Sequence, residues 1–303
     1  MAKLLKLFIV VLATVLIATT GCKKSDNAAN DNGGGGNTNV VPTGAVDGLF
    51  SVSETLQVYF AQGNLQYQAS TNTWRFAENQ WDYIGSDNTH ISEYYDGWID
   101  LFGWGTSGYD HGAVCYQPWS ISKEYGNYFA YGSSTYNLND QTGMADWGYN
   151  AIINGGNQEH QWRSLTHDEE MYVFDTRNTE SGVRFAKGQV NGINGMIVLP
   201  DDWKSDIYEL NGVNDGNASF DCNVIDLSEW EETFEANGAI FLPAAGYRSG
   251  VPVSELNVRG YYWTATYYDE TYANVLYFSN SGIDTDGWAD RYYGWSVRLV
   301  RDK

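Results

Sequence analysis

Two helix starts stand between an early and a late set of strand-like runs, and this order restricts the fold more than any other feature of the chain. Thr166-His167-Asp168-Glu169 has the form of a capping box, with Met171, Val173 and Phe174 as the apolar side of the turns that follow. Ser228-Glu229-Trp230-Glu231 has the same form; Trp230 and Phe234, four apart, share a face, and Gly238 is the stop. Before the helices, Leu49 to Ala61, Asn64 to Gln68 and Trp74-Arg75-Phe76 alternate β-formers with polar residues, as a meander turning at Gly63 and at Ser70-Thr71-Asn72 would. Gly97 to Gly108 is aromatic and glycine-rich, the composition of a packed loop. After the helices come Ala239 to Leu242, Tyr261 to Tyr268, Val275 to Phe278 and Ser296 to Val300 as strands. Gly195 to Pro200 (GMIVLP) echoes Gly238 to Pro243 (GAIFLP), two buried strands that end alike. Helices set among mostly antiparallel strands define an α+β class.

The first 44 residues lie outside that pattern. Lys3 and Lys6 precede an apolar run from Leu7 to Ala18, the layout of a secretory signal peptide and too short for a comfortable membrane span. Small residues before Cys22 (Thr19-Thr20-Gly21) resemble the lipobox of bacterial lipoproteins, in which that cysteine is acylated and becomes the first mature residue; Thr19 stands where Leu is usual. Residues 1–21 are therefore expected to be a cleaved leader, and Cys22 a lipid anchor at the bacterial outer membrane, on its periplasmic or cell-surface side. Lys23 to Gly44 is rich in Asn, Gly and Asp with almost nothing to bury, so residues 22–44 are expected to be a flexible tether. Residues 45–303 are then one globular domain, long enough for a sizeable core.

The formal net charge is −21, and loss of Lys3 and Lys6 with the leader makes the mature chain more acidic still. A general nucleic-acid binder is excluded, because phosphate contacts need a cationic face. Adhesion to anionic lipid by charge is disfavoured too, leaving the acyl group as the membrane contact. Twelve Trp and 23 Tyr beside only five Pro suit an extracytoplasmic β-rich domain with long ordered loops. With Cys22 assigned to the anchor, Cys115 and Cys222 remain. In an oxidising compartment they could pair, closing a long loop worth about 4 kcal/mol; two separate buried thiols are the other reading.

Four segments occur in an order that carries a resemblance: Gln161 to Thr166 (QWRSLT), Phe241 to Arg248 (FLPAAGYR), Gly260 to Thr266 (GYYWTAT) and Gly294 to Val300 (GWSVRLV). Together they resemble the Fibrobacter major paralogous-domain (FISUMP) family over about residues 148–300. That family is grouped with C-type-lectin-like folds and is distantly similar to formylglycine-generating (sulfatase-modifying) enzymes. The resemblance implies paired terminal strands, two helices and long loops over small antiparallel sheets, and no settled activity. The reactive cysteine pair of the sulfatase-modifying enzymes has no counterpart, since no cysteine follows Cys222, and Ser164-Leu165 replaces their Leu-Pro at the start of the helix.

No catalytic constellation stands out. The four histidines (His90, His111, His160, His167) are scattered, and the carboxylate pairs lie mostly in helix first turns, where the helix dipole favours acids. Asp284, Asp286 and Asp290, set around Gly287, form an acidic turn that could fold about calcium. Trp288-Ala289-Asp290 is placed where C-type lectins carry a Trp-Asn-Asp calcium motif, with Ala in the middle. Tyr267, Tyr268 and Glu270 after one strand, and Trp288 after the next, supply aromatic faces beside acids and form the candidate ligand site. The expectation is a lipid-anchored extracytoplasmic binding or interaction module, its ligand a glycan or a partner protein. A hydrolase or modifying enzyme with an unrecognised site, or a structural component of a surface assembly, are the opposing readings. Converging carboxylates in a closed pocket would favour the enzyme, an open trough of Trp and Tyr the glycan binder, and one broad flat apolar patch the assembly.

Overall fold

A computed structural model describes residues 40–303; Cys22, the expected leader and nearly all of the expected tether lie outside the described residues. Gly44, assigned to the tether, is already part of the fold: its carbonyl accepts from the Gln62 amide at 2.7 Å. The class is α+β, with small, mainly antiparallel sheets.

A four-stranded sheet lies at the centre. Its strands run in the order Val224–Ile225, Phe185–Val190, Ile193–Val198, Ile240–Pro243, with only the first pair parallel. The two segments that echo each other are neighbours here, Gly195 opposite Pro243 and Val198 opposite Ile240. Side chains alternate across the sheet. Met196, Val198 and Leu242 enter one apolar cluster, while Ile197, Leu199 and Phe241 enter another. Each large side chain buried this way stabilises by roughly 1.5–3 kcal/mol.

The C-terminal meander comprises Arg259–Tyr267, Tyr272–Ser279 and Gly282–Asp290, all antiparallel. Tyr262, Leu276 and Phe278 face the central sheet across a shared cluster. Trp263, Ala273 and Val275 point the other way, into a cluster with Trp104, Trp147 and Trp295. Trp263, Trp295, Leu242, Leu276 and Val300 are all buried.

The early strands depart from the expected meander. Leu49 to Ala61 is not one strand: Phe50–Ser51 and Gln57–Phe60 form a hairpin, turned where the Ser53 hydroxyl accepts from the Leu56 amide at 3.1 Å. Gln57–Phe60 then pairs with the C-terminal strand Val300–Asp302 and not with Leu65–Gln68. Leu65–Gln68 and Thr73–Phe76 make their own hairpin, turning at Asn72 in the left-handed region (φ 50°). A third small sheet joins Tyr247–Ser249 to Val253–Ser254 and Tyr293–Gly294.

Both helices are short. His167–Met171 begins at the expected box: the Thr166 hydroxyl accepts from the Glu169 amide, and Glu169 Oε2 accepts from the Thr166 amide at 2.8 Å. The second helix starts two residues early. Its cap is Asp226, whose carboxylate accepts from the Glu229 amide at 2.9 Å, and Ser228 lies inside the first turn. Trp230 and Phe234 stack at 5.4 Å as expected, and Gly238 ends the helix with φ 79°. Among the described residues no helix is long and apolar enough to cross a membrane.

Long irregular segments fill the rest, and buried cations tie them together. Arg248 donates to the carbonyls of Leu101, Ser120 and Gly250. Arg291 donates to those of Tyr128, Ser134 and Asp269, and Lys187 to those of Gly216, Ser279 and Gly282. Buried carbonyls need donors, and a guanidinium with five N–H groups serves several segments at once. Cys115 is buried, Cys222 is exposed, and both are free, so the two are not paired. Cys115 is fixed in the loop layer where its amide donates to the Asn127 carbonyl at 2.9 Å, whereas Cys222 ends a short turn beside the central sheet.

Candidate functional site

The meander leaves the core at one end. Tyr261 and Tyr277 stand opposite each other in register, on the face that carries Trp263 and Val275 further along, and both are half-buried. Trp295 stacks on Tyr261 at 4.8 Å and 17°, and Tyr293 continues parallel to Trp295 at 5.8 Å and 9°. Tyr247 stands edge-on to both tyrosines, at 5.7 Å from Tyr261 and 5.6 Å from Tyr293. These rings line an open trough of about 380 Å³, with Trp295 as its buried floor and Trp288 on its rim. Gly287 is also part of the floor. A Cβ there would come within 2.9 Å of the Val275 carbonyl oxygen, so the strand passes close only because the residue is glycine.

Three charged residues border the rings. Glu255 accepts from the Tyr261 hydroxyl at 2.8 Å and pairs with Arg259 at 3.1 Å. The Arg259 guanidinium lies 5.8 Å from the Tyr277 ring centre. Burial, with the Glu255 hydrogen bond adding to it, pushes the Tyr261 hydroxyl above the usual phenol range, so it remains a donor. Asp284, opposite Tyr277, is exposed; its Oδ1 accepts only from the backbone amide of Asp286, at 3.1 Å. The trough therefore combines π-faces, one neutralised ion pair and one free carboxylate.

The residues expected to form the site are partly brought together. Tyr268 and Trp288 stack at 5.5 Å and 20°, both about half exposed, and Tyr272 leans on the same indole at 4.6 Å. Glu270 is exposed in the same connection, which Asp269 shapes by accepting from the amides of Thr271 and Tyr272. Tyr267 is separate: it packs against the core, and its amide donates to Asn137.

Asp284, Asp286 and Asp290 do not form a turn. They lie on the nine-residue strand Gly282–Asp290, whose ladder to Tyr272–Ser279 keeps the run extended apart from one irregularity opposite Val275–Tyr277. At about 3.3 Å per residue, Asp284 and Asp290 are some 20 Å apart along the chain, too far to share one cation. Among the described residues no group of three or more His, Cys, Asp or Glu is placed to hold a metal. Asp286 instead approaches His167 Nε2 at 3.2 Å. Gly282–Asp290 is the outer strand of its sheet, and acids along an unpaired edge discourage pairing with another chain.

A second cleft borders Asp146, His160, Arg163 and Asp302. Its groups are already engaged: Arg163 bridges Glu169 (2.7 Å) and Asp302 (2.8 Å), and buried Asp146 accepts from the amides of Gly148 and Ser164. Arg163 thus joins the first helix to the last strand, a structural task.

A family model described as a domain of unknown function (DUF8237) matches residues 210–300, less than half of the chain. No curated protein and no solved structure matches. Every residue that lines the trough falls inside the matched segment. Tyr247, Glu255, Arg259, Tyr277 and Tyr293 were not singled out by sequence. The only local signal was the density of Tyr around 261–293, because strand register and the Tyr247–Ser249 to Tyr293–Gly294 pairing are what gather them.

Proposed function

We propose that this protein is a lipid-anchored, extracytoplasmic binding module whose C-type-lectin-like domain seats a glycan in the aromatic trough. The trough's openness, with four half-buried tyrosines and an exposed tryptophan beside hydrogen-bonding groups, carries this reading. Aromatic faces pack against the C–H faces of sugar rings, and carboxylate, guanidinium and phenol groups take the hydroxyls. Hydrolysis by a carboxylate pair needs two available groups at a defined separation. Here Glu255 is held by Arg259 and Tyr261, which favours binding over turnover.

The test is titration calorimetry of the soluble domain against starch, cellulose fragments, mannan, xylan and mucin glycans, with calcium and with chelator. Tyr277→Ala is expected to weaken binding about tenfold or more, each decade being 1.4 kcal/mol, and Asp284→Asn to weaken it less. Binding is expected to survive chelation, since the acidic strand is extended. A polysaccharide that binds wild type and both variants equally would place the site elsewhere, and failure of all of them to bind would sink the reading.

A further inference from the structure

The trough does not end at its own rim. It follows the strand pair of the meander, from Tyr277 opposite Asp284, past Val275 opposite Gly287, to Ala273 opposite Ala289. Between the last two of these levels Trp288, opposite Asn274, lines the rim. By strand alternation Trp288 belongs to the opposite face from Gly287 and Ala289. Its strand is the outermost, however, so the indole borders the trough while stacking on Tyr268 and Tyr272. Tyr272, opposite Asp290 and five residues from Tyr277, lies on the same face as Trp288, so the two surfaces meet over the edge of the outer strand.

Two aromatic surfaces are thus joined through one side chain. From Tyr277 to Tyr272 the strand advances five residues, about 16 Å at roughly 3.3 Å per residue, which is longer than one sugar ring. The further surface is also set in place. Asp269 accepts two amides within the connection, and buried Arg291 donates to the carbonyls of Asp269 and Tyr272, so Tyr268 is carried on a braced turn. Pre-ordered aromatics lose little conformational freedom on binding. Polar groups continue alongside, Asp284 at the trough end and Glu270 and Asp290 at the other, giving hydroxyl acceptors along the length.

We propose that the site reads a linear glycan that passes over the outer strand, with one subsite in the trough over Tyr261 and Tyr277 and a second beyond the rim on Tyr268 and Trp288. This rests on the trough being a glycan site and adds the class: an internal stretch of an unbranched oligosaccharide, not a terminal monosaccharide. Affinity then grows with chain length until both subsites are filled.

The experiment uses ladders from disaccharide to hexasaccharide of β-1,4-glucose, β-1,4-mannose, β-1,4-xylose and α-1,4-glucose, titrated into wild type, Tyr268→Ala and Tyr277→Ala. Tyr268 is half exposed on a surface connection, and an unchanged melting temperature shows that its removal leaves the fold intact. For the ladder that binds, wild type should gain about tenfold or more between disaccharide and hexasaccharide. Tyr268→Ala should lose that gain yet bind the disaccharide as wild type does, and Tyr277→Ala should weaken every length. Equal affinity of wild type for all lengths, or a full length-dependent gain in Tyr268→Ala, overturns the two-subsite proposal while leaving the trough as a glycan site. Absence of binding at every length in all ladders overturns the two-subsite proposal, and the trough as a glycan site falls with it when the mucin glycans also fail to bind.

Discussion

Glu170 has a fully buried carboxyl whose Oε1 meets no hydrogen-bond donor, among residues that include Phe60, Leu165, Phe174 and Leu276. Burial raises its pKa well above the ordinary carboxylate value, and the acids Asp175 and Asp284 add to the shift. Above the ordinary value the unfolded chain has released this proton while the folded chain retains it. Stability from this group is therefore greatest at acid pH and falls as pH rises toward the raised value. Glu170→Gln removes the titration but keeps the shape. Its melting temperature should match wild type near about pH 4 and exceed it by a widening margin toward about pH 8. A constant offset between the two melting curves across that range would show that Glu170 does not titrate with folding. Neither the burial nor the missing partner could be read in sequence, where Glu170 is one more acid in a helix first turn.

Local rules made some elements legible and misplaced others. Thr166 was legible because a capping box needs only four consecutive residues, and nothing upstream competes with it. At the second helix two frames overlap: Asp226-Leu227-Ser228-Glu229 and Ser228-Glu229-Trp230-Glu231 both fit a cap with an acid three residues on. Strand Val224–Ile225 ends immediately before Asp226, so the earlier frame takes the cap. Asp226→Ala should cost about 1 kcal/mol, the usual value of an N-cap, while Ser228→Ala should stay within about 0.5 kcal/mol of wild type. Denaturant unfolding of both variants reads this directly, and the reverse order would return the cap to Ser228. Asp284 to Asp290 looked like a turn because Asp and Gly are rare inside strands; an outer strand tolerates them because one side has no partner. The trough was not legible for a different reason. Tyr247, Glu255, Tyr261, Tyr277 and Tyr293 come from separate segments, and their meeting depends on register and on a small sheet that no local pattern announces.

At the scale of the whole molecule, charge and anchoring belong together. With 38 acidic against 17 basic residues, the chain offers no net charge attraction to anionic lipid. Most of its buried arginine and lysine is committed to carbonyls of the loop layer, which further removes cationic groups from the outside. If the chain is displayed at a membrane, Cys22 must do the holding, and an acyl group holds by burying apolar surface rather than by charge. Such attachment ignores salt. Wild type should stay with the membrane fraction in roughly 1 M salt, where charges are screened beyond about 3 Å, and leave it in detergent. Cys22→Ser, once its leader is cleaved, should appear in the soluble fraction with an unchanged melting temperature and unchanged glycan affinity. Release of wild type by salt, or membrane retention of a cleaved Cys22→Ser protein equal to wild type, would rule out the lipid anchor and leave the trough's binding to be explained without it.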